Sequence, residues 1–124
     1  MVELTFNGRR LEVPSIEGLG AELERIDVEP RFELWISMED GPSMCMLRNG
    51  SNAWLMYLRE AGDSGFRSSG DPIRPGLERF WLGNGQVDEY PLSWCIDVER
   101  CYKAVAYFFV NDGARPDWIV WSDC

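Results

Sequence analysis

Apolar residues alternate with polar ones from Val2 to Phe6 and again from Arg9 to Val13, with Asn7-Gly8 between the two runs. Alternation marks half-buried strands and Asn-Gly marks a tight turn, so a hairpin opens the chain. The period then changes. Ile16, Leu19, Leu23 and Ile26 recur at helical spacing behind Pro14-Ser15, and Ser15 is placed to cap the helix. Gly18 and Gly20 weaken that helix by about 1 kcal/mol each, so packing must hold it. Alternation returns from Phe32 to Met38, with Phe32, Leu34, Ile36 and Met38 on one face and Glu33, Trp35 and Ser37 on the other. Glu39-Asp40-Gly41-Pro42 reads as a turn. Two further hairpins follow, Met44–Leu47 with Ala53–Leu58 about Arg48-Asn49-Gly50-Ser51, and Leu77–Leu82 with Gln86–Tyr90 about Gly83-Asn84-Gly85. Between them, residues Gly62 to Gly76 are rich in Gly, Ser and Pro and read as a mobile loop. A loop of that length is usually functional or disordered.

The last quarter is the most strongly patterned. Val98, Cys101, Tyr102, Val105, Phe108 and Phe109 make a broad apolar helical face, with Asp97 as the expected cap and Glu99 and Lys103 spaced to pair. Gly113 offers a left-handed stop, and Arg115-Pro116 prevents continuation. Trp118 to Trp121 is β-prone and reads as a short, mostly buried final strand. The sum is β-β-α-β-β-β-β-β-α-β. Hairpins imply antiparallel pairing, and two amphipathic helices can cover one face. The expected fold is α+β: a mainly antiparallel sheet built of hairpins with two helices packed on one face, in one domain spanning residues 1–124.

Charge narrows the function. The net charge of −9 over 124 residues disfavours direct contact with nucleic acid and favours a basic partner or plain solubility. The opening residues lack a signal-peptide core, and no run is long enough to span a bilayer, so the expected location is cytoplasmic, away from membranes. The chain has no histidine, which removes His-based acid–base catalysis and His metal sites. Cys45, Cys95, Cys101 and Cys124 show no metal-ligand spacing and read as free thiols, the first three partly buried. No catalytic set, cofactor or metal is expected. Adjacent acids such as Asp88 and Glu89 point to opposite faces of a strand and make a poor catalytic pair.

Six tryptophans in so short a chain change the picture more. With both helices on one face, Trp35 should point outward, together with Tyr57 and Trp81 and beside Glu33 and Asp88. Aromatic anchors ringed by acids suit a specific interface. The competing expectation is that the tryptophans fold over the sheet as a second small core.

The order of parts near the C-terminus carries a resemblance. Gly85, Glu89, Pro91, Ile96, Ala104, Phe108, Gly113, Arg115, Pro116, Ile119 and Trp121, in that order, resemble immunity protein family one of bacterial polymorphic toxin systems. The N-terminal part resembles it only in layout. The resemblance implies a protein made beside a toxin gene that neutralises the toxin in the producing cell, often a nucleic-acid deaminase domain. The implied partner is the toxin's C-terminal domain, bound one to one. A toxin acting on nucleic acid needs a basic cleft, which an acidic protein can occlude. Glu39, Asp40, Asp63, Asp71, Trp81 and Asp88 are the expected toxin contacts. Arg115, Pro116 and Trp121 are assigned to the fold, with Arg115 paired to Glu89 or Asp117 and Trp121 filling the core. The rival expectation is a regulatory domain that binds a small molecule or peptide on the aromatic sheet face. A third is an enzyme using a carboxylate or Cys101, in the first turn of the second helix.

Overall fold

The N-terminal hairpin forms where the alternation puts it, β1 (Val2–Phe6) against β2 (Arg9–Leu11), in a computed structural model that describes residues 2–124. Helix α1 (Ile16–Ile26) follows, and the Gly18 amide donates to Ser15 Oγ at 3.0 Å, as a cap should. The chain continues through β3 (Arg31–Met38), β4 (Ser43–Asn49), β5 (Asn52–Leu58), β6 (Phe66–Ser68), β7 (Leu77–Trp81) and β8 (Val87–Pro91). It ends with a 3-10 turn (Leu92–Trp94), helix α2 (Val98–Val110) and β9 (Trp121–Asp123). Every pairing is antiparallel. Seven strands join in the order β2-β1-β3-β4-β5-β6-β9, and β7 and β8 form a separate two-stranded sheet. The architecture is α+β, as the pattern predicts.

Alternation along the strands sorts side chains between two layers. Leu4, Phe6, Phe32, Leu34, Ile36, Met44, Met46, Ala53, Leu55 and Tyr57 face the helices. They meet Leu19, Leu23 and Ile26 of α1 and Cys101, Tyr102, Ala104, Val105 and Phe108 of α2, all buried. Burying a Leu or Phe side chain stabilises by about 1.5–3 kcal/mol, so this layer holds the glycine-weakened α1 in place. Tyr57 belongs here, which corrects its expected place beside Trp35. Its register partner is Met44, and its hydroxyl donates to the Gly113 carbonyl at 2.6 Å.

Three local expectations are also corrected. Asp97 occupies the N-cap position of α2, but its side chain makes no capping bond. Glu99 and Lys103 form no ion pair among the described residues. The final strand begins at Trp121 rather than Trp118, because a strand needs a ladder: Trp121 is the first residue opposite β6, at Ser68. Of the segment expected to be mostly buried, Ile119 is, while Val120 is 67% exposed.

The Gly- and Ser-rich segment is therefore not simply a loop. It supplies β6, which joins β9 to the sheet. Ser68 is fully buried, accepting the Leu55 amide at 2.9 Å and donating to the Trp94 carbonyl at 2.9 Å. Its hydroxyl replaces the ladder bond that β6 is too short to make. Ser68→Ala strands both backbone groups, and unfolding in denaturant should show a loss of about 1–3 kcal/mol. Among the described residues no helix is long and apolar enough to cross a membrane.

Candidate interaction surface

The outer face of the large sheet carries the opposite phase: Trp35, Cys45, Leu47, Trp54 and Met56. The β7–β8 hairpin covers it. Phe80, Leu82 and Tyr90 come down from the hairpin, and Leu92, Trp94 and Cys95 from the segment after it. Trp54 is 1% exposed, with ring centroids 4.6 Å from Tyr90 and 5.3 Å from Trp94. The sheet face is thus a second small core and not an open aromatic pocket. Trp35 is half-buried within it.

Two close approaches hold the hairpin down. At its tip, the Gly83 amide donates to Glu33 Oε1 at 3.1 Å, and a Cβ at Gly83 would stand 2.8 Å from the backbone of Asn7 and Gly8. Along β7, Asn49 Nδ2 donates to the Arg79 carbonyl at 2.9 Å and Asn52 Nδ2 to Glu78 Oε2 at 3.0 Å. These anchors lie at the β4–β5 turn end of the sheet, away from the β3–β4 turn.

Cross-strand partners share a face, so the register assigns the hairpin's outward side. Phe80–Asp88 and Glu78–Tyr90 face the sheet. Trp81–Val87, Arg79–Glu89 and Leu77–Pro91 face away. Val87 is 45% and Leu77 58% exposed, and Ile73, in the loop leading into β7, is 86% exposed. The Arg31 guanidinium lies 4.5 Å from the Trp81 ring and braces it. The result is an apolar stripe with Glu89 and Arg79 across its middle and Asp71 in the adjoining loop.

The expected contact residues divide between the two ends of the sheet. Trp81 and Asp88 are on the hairpin. Asp71 is exposed in the loop, its Oδ1 accepting the Ile73 amide at 3.1 Å. Asp88 points inward, accepting from Gln86 Nε2 at 2.7 Å and from the Tyr90 hydroxyl at 3.1 Å. Burial and then that acceptor push the Tyr90 phenol up to about 12. Glu39 and Asp40 are exposed in the β3–β4 turn, at the other end. From Glu33 to the end of β3 at Met38 is five residues of strand, roughly 17 Å, and Glu39 lies just beyond it.

Asp63 also lies at that far end, in the β5–β6 connection, with a side chain only 6% exposed. Its Oδ2 accepts the Arg59 amide and Nε, and its Oδ1 accepts Arg59 Nη2, all at 2.9 Å. The side-chain bonds first, then the amide, hold its carboxyl well below the usual carboxylate range. A depressed folded-state value contributes stability above the unfolded value near ~4, and that stability is lost as pH falls through the folded value. Asp63→Asn should therefore lower stability at neutral pH, with the gap to the parent closing below about pH 4 in thermal melts across pH.

Sequence reasoning missed Leu77, Val87 and Ile73 as exposed, although the alternation Val87-Asp88-Glu89 already places Val87 and Glu89 on one side. Arg115 pairs with neither Glu89 nor Asp117. Its guanidinium lies 4.5 Å from the Phe66 ring and 5.8 Å from the Trp121 ring, where a flat cation can rest on aromatic faces. Trp121 is half-buried at the rim of the helix-side core, and its Nε1 donates to the Pro116 carbonyl at 2.8 Å. Cys45, Cys95 and Cys101 are buried, and burial raises all three thiols, Cys95 to about 11. The Cys101 thiolate expected from a first-turn position is disfavoured by that burial. Among the described residues no group of acids and cysteines is arranged to hold a metal.

A family model described as Immunity protein Imm1 matches residues 11–123. No curated protein matches the chain.

Proposed function

The chain belongs to the Imm1 immunity-protein family, and from that premise we propose that it binds the C-terminal domain of a cognate bacterial toxin one to one, blocks it, and does no chemistry itself. The toxin is one that acts on nucleic acid, a deaminase domain in the first instance. Its cleft must attract phosphate and is therefore basic. A chain of net charge −9 is drawn to such a cleft, and once seated it excludes the substrate. Neutralisation takes place in the cytoplasm of the producing cell.

The observation that carries this reading is the outward side of the β7–β8 hairpin. An aromatic residue braced by Arg31 and paired with Val87, at one end of a stripe that runs past Glu89 to Leu77, has the composition of an interface centre rather than of a solvated hairpin. In this account Trp81 is the anchor and Asp71 a contact at its border. Asp88 acts from behind, by fixing the hairpin through Tyr90. Glu39 and Asp40, at the far end, add to the long-range field that speeds encounter, while the charge of Asp63 is cancelled by Arg59 and serves the fold.

Co-expression with the product of the adjacent toxin gene tests the reading. Cells making the toxin domain should survive only when this chain is also made, and the two should co-purify at low salt. Equal killing with and without the chain would contradict it.

A further inference from the structure

Strand β8 leaves one backbone edge unpaired, and the hydrogen bonds around the hairpin identify it. At the tip the Leu82 amide donates to the Gln86 carbonyl at 2.8 Å, and at the base the Leu92 amide donates to the Gly76 carbonyl at 3.0 Å. Bonded and non-bonded pairs alternate along an antiparallel ladder. Counting inward from either end gives the same phase: Phe80–Asp88 and Glu78–Tyr90 are the bonded pairs, and Val87 and Glu89 turn their amides and carbonyls away from β7. The Arg79 carbonyl agrees, since it faces away from β8 to accept from Asn49. Pro91, which has no amide to offer, falls on the same outward phase as Val87 and Glu89 and ends the edge. Among the described residues nothing bonds to the main chain of Val87 or Glu89, and both residues are exposed.

We propose that this edge receives an extended strand of the toxin domain, which adds to β7–β8 as a third strand. The inference rests on the toxin-binding reading and says how that binding is made. An unpaired edge on an isolated two-stranded sheet is a template for strand addition, in which main-chain bonds give affinity and alternate side chains give selectivity. Charge selects the occupant. Glu89 stands on the outward side between Trp81–Val87 and Leu77–Pro91, so the entering strand carries a Lys or Arg opposite Glu89 and an apolar residue opposite Val87. A second copy of this chain offers Glu89 no cation: two-fold registers centred on Asp88 or Glu89 set like carboxylates opposite each other, and one centred on Val87 sets Gly85 opposite Glu89.

Amide hydrogen exchange, read residue by residue on the free chain and on its complex with a catalytically inactive toxin domain from the adjacent gene, tests the edge. In the free chain Val87 and Glu89 should exchange at least about a hundredfold faster than Asp88 and Tyr90, and in the complex they should slow by a similar factor. Val87→Pro removes an outward amide without touching a β7–β8 bond, and should weaken binding at least about tenfold more than Val87→Thr, which changes the side chain but keeps the amide. A complex in which Val87 and Glu89 stay unprotected would overturn the edge while leaving toxin binding in place. Absence of any complex would overturn both. A dimer of the free chain with these two amides protected would assign the edge to a second copy and overturn the proposal.

Discussion

Phe80→Ala should cost about 3–5 kcal/mol of unfolding free energy, the usual range for removing a fully buried phenylalanine. Phe80 has no exposed surface and packs 6.1 Å from the Tyr90 ring, under a hairpin with few other buried apolar side chains. The cavity would open between Trp54 and the hairpin, where collapse is limited by the Gly83 and Asn49 anchors. A domain of this size is stable by only about 5–15 kcal/mol, so scanning calorimetry should show a large fall in melting temperature. Toxin binding should fall with it, because the outward side of the hairpin is positioned by its inward side. A loss below about 1 kcal/mol would mean that the hairpin is not part of the core.

Trp81→Ala should instead separate binding from folding. Trp81 is half-buried on the outward side and braced by Arg31, so truncation costs little in stability, within about 1 kcal/mol. As an interface anchor its loss should weaken the toxin complex by about 2 kcal/mol or more, roughly thirtyfold, expressed mainly as faster dissociation. The charge reversals Glu39→Lys and Asp40→Lys, at the far end, should behave differently. They should slow association a few-fold at low salt and change almost nothing at high salt, since exposed charges beyond a Debye length of about 8–10 Å are screened. Surface-binding kinetics at two salt concentrations would distinguish the two patterns. If Glu39→Lys accelerated dissociation more than Trp81→Ala, the interface would lie at the β3–β4 turn.

Helices and hairpins were legible in the sequence because periodicity and Asn-Gly signals act locally. Leu19, Leu23 and Ile26, or Phe32, Leu34 and Ile36, declare their face without reference to the rest of the chain. The features that required tertiary information read less well. β6 is only Phe-Arg-Ser amid glycine and serine, and it exists because Ser68 completes bonds to Leu55 and Trp94. β9 is displaced from the β-prone run because β6 determines where a ladder can begin. Tyr57 lies on the helix side because the ladder sets Trp35 opposite Cys45 and Cys45 opposite Met56, so Trp35 shares its face with Met56 and Trp54, and that phase is fixed only when β3, β4 and β5 pair.

The candidate surface was half legible. Acidic balance and surplus tryptophan pointed to an interface, but which tryptophans remain outside depends on where the β7–β8 hairpin lies. It buries Trp54, partly covers Trp35 and Trp94, and turns Trp81 outward. The six expected contacts looked equivalent in the sequence because hydrogen-bond partners such as Arg59 for Asp63 and Tyr90 for Asp88 depend on tertiary geometry. Family membership, by contrast, was legible from the ordered residues between Gly85 and Trp121, and the family match extends it over residues 11–123.

The most direct test is a titration of the purified toxin domain with this chain, reading the toxin's activity on nucleic acid. The account predicts a linear fall to zero at one equivalent, with the Trp81→Ala chain shifted to higher concentration and the nucleic acid left intact when this chain is added alone. Full toxin activity in the presence of a large excess of folded chain would contradict it.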